Sequence, residues 1–135
     1  MIRSTLCLVA SGLALASCAP AKEPRSAASP SPAAAQWVPA GEPVTCVQTN
    51  RIRETRVLDD STILFVMNDG TTFRNDLPNR CPGLGFERAF SYQTSISQLC
   101  NVNIITVVNQ GGGPRRGASC GLGQFTPVKP AEAAG

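Results

Sequence analysis

Thr62-Ile63-Leu64-Phe65-Val66-Met67-Asn68-Asp69-Gly70-Thr71-Thr72-Phe73-Arg74-Asn75 is the stretch whose reading decides the fold. Its first six residues are rich in β-formers and apolar on both alternating faces, which predicts a strand covered on both sides. Asp69-Gly70 then separates it from a second strand-like run. That dipeptide is a strong hairpin signal, because a type I′ turn requires positive φ at both central residues. Working outward, Arg51 to Leu58 reads as a preceding strand that turns at Asp59-Asp60-Ser61. Val102 to Val108 reads as a further strand with two apolar faces. Val102, Ile104 and Val108 lie on one side, Ile105 and Val107 on the other, and Gly111-Gly112-Gly113-Pro114 ends the run. A short helix near Phe86 to Phe90 is a local candidate. Five or six short strands between Val44 and Val128 predict an all-β domain, a small antiparallel barrel or roll.

The flanks have a different composition. From Ala19 to Pro43 the chain is dominated by Ala, Pro and Ser, with too little apolar surface to offset its ordering entropy, so residues 18–43 are expected to form a disordered tether. Trp37, the single tryptophan, is expected to pack on the domain edge where the chain enters the fold; its second reading is an anchor for a partner. Residues 129–135 read as a tail.

The N-terminus carries one basic residue, Arg3, and then an apolar run from Leu6 to Ala16. That run is too short for a transmembrane helix, which needs roughly 20 residues, and has the form of a secretory signal peptide. It ends in Leu15-Ala16-Ser17-Cys18, which resembles the lipobox of bacterial lipoproteins. The resemblance implies that residues 1–17 are removed, that Cys18 is lipidated, and that the chain is held in a membrane by that lipid. Two or more acyl chains hold firmly where one gives only marginal binding. Ala19 rather than aspartate after the cysteine implies, by the same resemblance, the outer membrane facing the periplasm.

Six cysteines therefore have three fates. Cys7 leaves with the signal, Cys18 takes lipid, and Cys46, Cys81, Cys100 and Cys120 remain. An even number in an exported domain predicts two disulfides. Of three connectivities, the expected one is Cys81–Cys100 as a local clip with Cys46–Cys120 joining the domain ends. No two of the four are closely spaced and the chain has no histidine, which argues against a zinc site and a redox motif.

The absence of histidine also excludes Ser-His-Asp and Cys-His catalysis. Carboxylates remain: Glu54, Asp59, Asp60, Asp69, Asp76 and Glu87. A pair of them suffices for glycoside hydrolysis, but Asp59, Asp60 and Asp69 sit at expected turns, where Asp serves turn geometry. No catalytic residue, metal or cofactor is assigned, and the expectation is a non-enzymatic module. Eight arginines face these six carboxylates within the domain, an ordinary mixed surface. With an exported address, that balance makes nucleic acid an improbable partner. Arg115 and Arg116, following the triple glycine, form the best exposed basic tip and a candidate binding feature.

One internal echo stands out. Cys81-Pro82-Gly83-Leu84-Gly85-Phe86 and Cys120-Gly121-Leu122-Gly123-Gln124-Phe125 each combine a cysteine, Gly-Leu-Gly and a nearby Phe. The reading is shared turn chemistry, with glycine allowing tight backbone and Leu and Phe filling the core. These segments, with Arg53 to Ile63, Leu77 to Leu84, Phe90-Ser91-Tyr92 and Gln98-Leu99-Cys100, resemble a family of short exported domains of unknown function in Gram-negative bacteria. The resemblance spans roughly Cys46 to Val128 and implies no activity. The functional expectation is thus a tethered binding or structural module for an unidentified envelope protein or ligand. The alternative is a small periplasmic inhibitor of a hydrolase such as lysozyme or a protease.

Overall fold

The structure, a computed structural model, describes residues 31–131. The expected signal peptide, Cys18 and most of the expected tether lie outside the described residues. The described chain forms α1 (Pro32–Ala35), β1 (Trp37–Pro39), β2 (Cys46–Gln48), β3 (Ile52–Asp59), β4 (Thr62–Met67), β5 (Thr72–Asp76), α2 (Leu84–Glu87), β6 (Phe90–Tyr92), β7 (Gln98–Cys100), β8 (Ile104–Asn109), β9 (Arg115–Gly121) and β10 (Phe125–Pro130). The strands make a five-stranded sheet of order β1-β10-β5-β4-β3, a three-stranded sheet β6-β8-β9 and a two-stranded ribbon β2-β7. Every pairing is antiparallel. This is an open roll rather than a closed barrel. The ten strands exceed the expected five or six because β1, β2, β6 and β7 have three residues each, too few to show a period.

The expected central strand is β4, buried at all six positions. Ile63, Phe65 and Met67 face the main core with Leu84, Leu99, Ile105, Val107, Leu122 and Phe125. Phe65 is its centre: its ring meets Phe125 edge-on at 5.3 Å and Phe90 at 6.4 Å. The other face of β4 carries Leu64 and Val66, and register places Leu64 opposite Arg74 of β5. Arg74 donates from Nη1 to the Trp37 carbonyl at 2.8 Å, Ser31 donates to the Asp59 carboxylate, and Ala34 is buried. The segment from Ser31 to Pro39 therefore covers this second face.

That cover moves both expected boundaries. The fold begins before Val44, since β1 pairs with β10 from Trp37↔Pro130 to Pro39↔Val128, and β10 carries the sheet past residue 128. Trp37 is half-buried at this edge. A strand apolar on both faces needs two covers, and the chain supplies one from the Pro- and Ala-rich stretch.

Three other expectations change. The β4–β5 hairpin does not use a type I′ turn. Gly70 N–H donates to the Met67 carbonyl, Gly70 has φ +88°, and Asp69 is not among the positive-φ residues. This is a three-residue loop, a type I turn followed by a left-handed glycine, and Asp69 Oδ1 accepts the Thr71 N–H at 2.9 Å. Next, β8 buries only one face: Ile105 and Val107 are inside, while Ile104 and, just before the strand, Val102 are 59% and 82% exposed. Finally, the disulfides are Cys46–Cys100 and Cys81–Cys120 rather than the nested pair. Cys46 lies directly opposite Cys100 in the β2–β7 register, and Cys81 is buried beneath β9. Strand pairing sets the first link, and the fold of the Arg80–Gly85 loop against β9 sets the second; closeness in sequence sets neither.

Asn75, a fully buried polar residue, ties β5 to the loop that precedes β10. Its Nδ2 donates to the Gly123 carbonyl at 2.7 Å and its Oδ1 accepts the Gly123 N–H at 2.8 Å. Only glycine fits there, since a Cβ on residue 123 would lie 2.1 Å from the Asp76 carbonyl oxygen. Asn75→Ala leaves both Gly123 groups without a partner and should cost about 3 kcal/mol in urea unfolding. Peptide mapping without reduction should recover Cys46–Cys100 and Cys81–Cys120. Replacing both Cys81 and Cys120 by Ala should cost up to about 4 kcal/mol by the loop-entropy relation.

Candidate functional site

The carboxylates that composition left available for catalysis are each engaged in local structure. Glu54 pairs with Arg56 at 2.8 Å and Asp76 with Arg74 at 3.0 Å. Asp59 Oδ1 accepts the Ser61 N–H at 2.7 Å, and Glu87 Oε2 accepts the Gln110 N–H at 3.0 Å. The Thr71 N–H holds Asp69 below the usual carboxylate range. Among the described residues no group of three or more His, Cys, Asp or Glu side chains is placed to hold a metal ion.

Asp60 is the most elaborately held. Its Oδ1 accepts the Gly85 N–H at 2.8 Å, and its Oδ2 accepts Arg80 Nη2 and Nε at 2.7 and 2.9 Å. Its backbone carbonyl accepts the Cys81 N–H at 2.7 Å. One turn residue thus fixes the whole Arg80–Gly85 segment against the β3–β4 turn. The Gly85 hydrogen bond first, and Arg80 second, pull the Asp60 carboxyl below its ordinary range.

This makes physical sense of the internal echo. Cys81 and Cys120 are bonded to each other, so the two Gly-Leu-Gly segments are joined. Leu84 and Leu122 both enter the core, and the second glycine of each donates to an Asp or Asn side chain, Gly85 to Asp60 and Gly123 to Asn75. The phenylalanines differ. Phe125 is fully buried, whereas Phe86 is 88% exposed, contrary to the expected core-filling role. A sequence signal for this existed. Leu84 and Phe86 lie two residues apart on one helical turn, where side chains do not share a face; with Leu84 inside, Phe86 must point away.

Two exposed surfaces result. The first is the outer side of β6-β8-β9, where a shallow groove of about 380 Å³ is lined by Ser91, Tyr92, Val102, Ile104, Thr106 and Arg116 among others. The second is the loop that carries Phe86. Of the candidate binding residues, Arg115 and Arg116 are exposed at the start of β9, with Arg116 on the groove, while Trp37 lies apart from them on β1. The structure therefore does not gather the three into one site.

The Asp60 carboxyl sets a pH dependence. Its folded-state pKa is depressed, so the stability it contributes is present above the unfolded value near pH 4 and is lost as pH falls through the lower folded value. Asp60→Asn should be less stable than the parent by about 2 kcal/mol at pH 7. In urea melts the difference should shrink as pH falls from the unfolded value through the lower folded value of Asp60.

No match is found among curated proteins or among solved structures. A family model does match, over residues 1–135. The chain therefore belongs to a family of unknown function (DUF6491).

Proposed function

We propose that this chain is a non-enzymatic envelope lipoprotein of a Gram-negative bacterium, a β-module carried on lipid at Cys18 and presented to a partner in the periplasm. The observation that carries this reading is the division of the cysteines. Leu15-Ala16-Ser17-Cys18 follows an apolar run, and the four cysteines beyond it pair as Cys46–Cys100 and Cys81–Cys120. Disulfides persist in oxidising compartments, which supports export, and loss of Cys7 with the signal and lipidation of Cys18 account for the other two cysteines. The binding role draws on exposed apolar side chains, Phe86, Val102 and Ile104, in a small domain whose carboxylates serve its own turns and ion pairs.

The second reading, a small periplasmic inhibitor of a hydrolase such as lysozyme or a protease, draws on the Cys81–Arg88 loop. Tight inhibitors present a rigid segment whose shape changes little on binding, and this loop is fixed at both ends.

The anchor is tested by expressing the full chain and its Cys18→Ala variant in a Gram-negative host and partitioning membranes with detergent. The parent should enter the detergent phase at the mass of a chain beginning at Cys18 plus acyl groups. The variant should lose that mass increment and move to the aqueous phase or remain uncleaved. A Cys18→Ala chain that keeps parental processing and detergent partitioning overturns the reading.

A further inference from the structure

We infer that Phe86 is a preformed docking anchor, which inserts into an apolar pocket, rimmed by acidic side chains, on a protein partner. Large hydrophobics exposed to this degree are usual when scattered, but this one is held in place from several sides. Cys81 is tied to β9 by its disulfide, Leu84 is sealed in the core, and the Gly85 N–H is bonded to Asp60. Beyond it, Glu87 accepts the Gln110 N–H and the Arg88 N–H donates to the Leu84 carbonyl. Arg88 has φ +53°, the one non-glycine residue with positive φ among the described residues. A left-handed arginine is costly, and such conformations persist where the surroundings over-determine them. The result is an aromatic side chain on a fixed backbone, the kind of group that dominates interfaces with little ordering cost.

Charge selects the occupant. The β8–β9 hairpin is tied to this loop through Gln110 to Glu87 and through the Val108 N–H to the Ala89 carbonyl, and Arg115 faces Asn109 in the pair that closes the hairpin loop. Arg88 and Arg115 therefore lie at the Phe86 end of the molecule, and neither is in an ion pair among the described residues. An aromatic knob flanked by free guanidinium groups fits an apolar pocket with an acidic rim. A lipid surface would accept any orientation of Phe86 and gains nothing from a fixed loop. One phenylalanine also adds little beside an acyl anchor.

The inference deepens the binding-module reading, and its test separates the two. A photoreactive benzoyl-phenylalanine replaces Phe86 in the full-length chain in cells, with the same probe at Val102, nearly as exposed on the sheet face, as control. Detergent partitioning of the same samples reports on the anchor independently. The expected result is an adduct to one protein from position 86 and not 102, mapped to an apolar pocket with Asp or Glu at its rim. Binding of that purified protein should weaken ~30-fold or more in Phe86→Ala, with the thermal midpoint unchanged and Phe86→Trp retaining affinity. Charge reversal at Arg88 and Arg115 should weaken it further and reduce its salt dependence. Adducts to lipid, adducts to one protein from position 102 alone, or no adduct above control at position 86 overturn the inference. So does a Phe86→Ala chain whose loss of binding accompanies a fall of several degrees in thermal midpoint, which makes Phe86 structural.

Discussion

Burial of β4 on both faces is the constraint from which the rest of the architecture follows. Five consecutive apolar side chains, Ile63 to Met67, leave water together. At roughly 1.5–3 kcal/mol each, their burial is comparable with the whole net stability of a small domain, ~5–15 kcal/mol. One face is sealed by the second sheet and by Leu84, Leu99 and Phe125. The other needs a lid, and the chain returns its own Ser31–Pro39 stretch to serve as one, stitched by Ser31 to Asp59 and by Arg74 to the Trp37 carbonyl. The disulfides and the Asn75 clamp then hold the elements that β4 gathers.

The parts legible in the sequence were those where one strand's own residues carry the signal. β4 and β5 announce themselves by composition and by the Asp-Gly between them, and β3 by its run into Asp59-Asp60. Information that resides in two distant segments was not legible. The cover over Leu64 and Val66 is invisible in a Pro- and Ala-rich stretch because its helix and strand are one turn and three residues long. The cysteine partners depended on which segments the fold brings side by side, and interleaved loops look no different from nested ones in a linear chain. Ile104 and Val102 show the converse error: an apolar residue on a strand does not guarantee a cover, and here the outer face was left to solvent.

The candidate site was less legible than the fold, for a related reason. Asp60 and Asn75 look in sequence like ordinary turn and strand residues; only the folded chain brings Gly85 and Gly123 to them. They act as equivalent clamps on two echoing segments, so the carboxylate at position 60 serves the scaffold. The same scaffold gives the two phenylalanines opposite fates, Phe125 as part of the core and Phe86 as its outward counterpart. The elements that hold Phe86 still are those that stabilise the domain.

The Cys46–Cys100 crosslink has a mechanical consequence. Tension applied through the N-terminal side of the roll meets α1, β1 and the Val44–Phe125 bridge before it meets a covalent bond. Those elements are held by a few hydrogen bonds and peel without breaking the core. Beyond Cys46 the load passes directly to Cys100 on β7. The yielding segment from Ser31 to Cys46 extends by no more than ~50 Å at ~3.4 Å per residue. As it yields, it bares Leu64 and Val66. The roll is built like a strap with a stop: a short length pays out, exposes an apolar surface, and then meets a covalent bond.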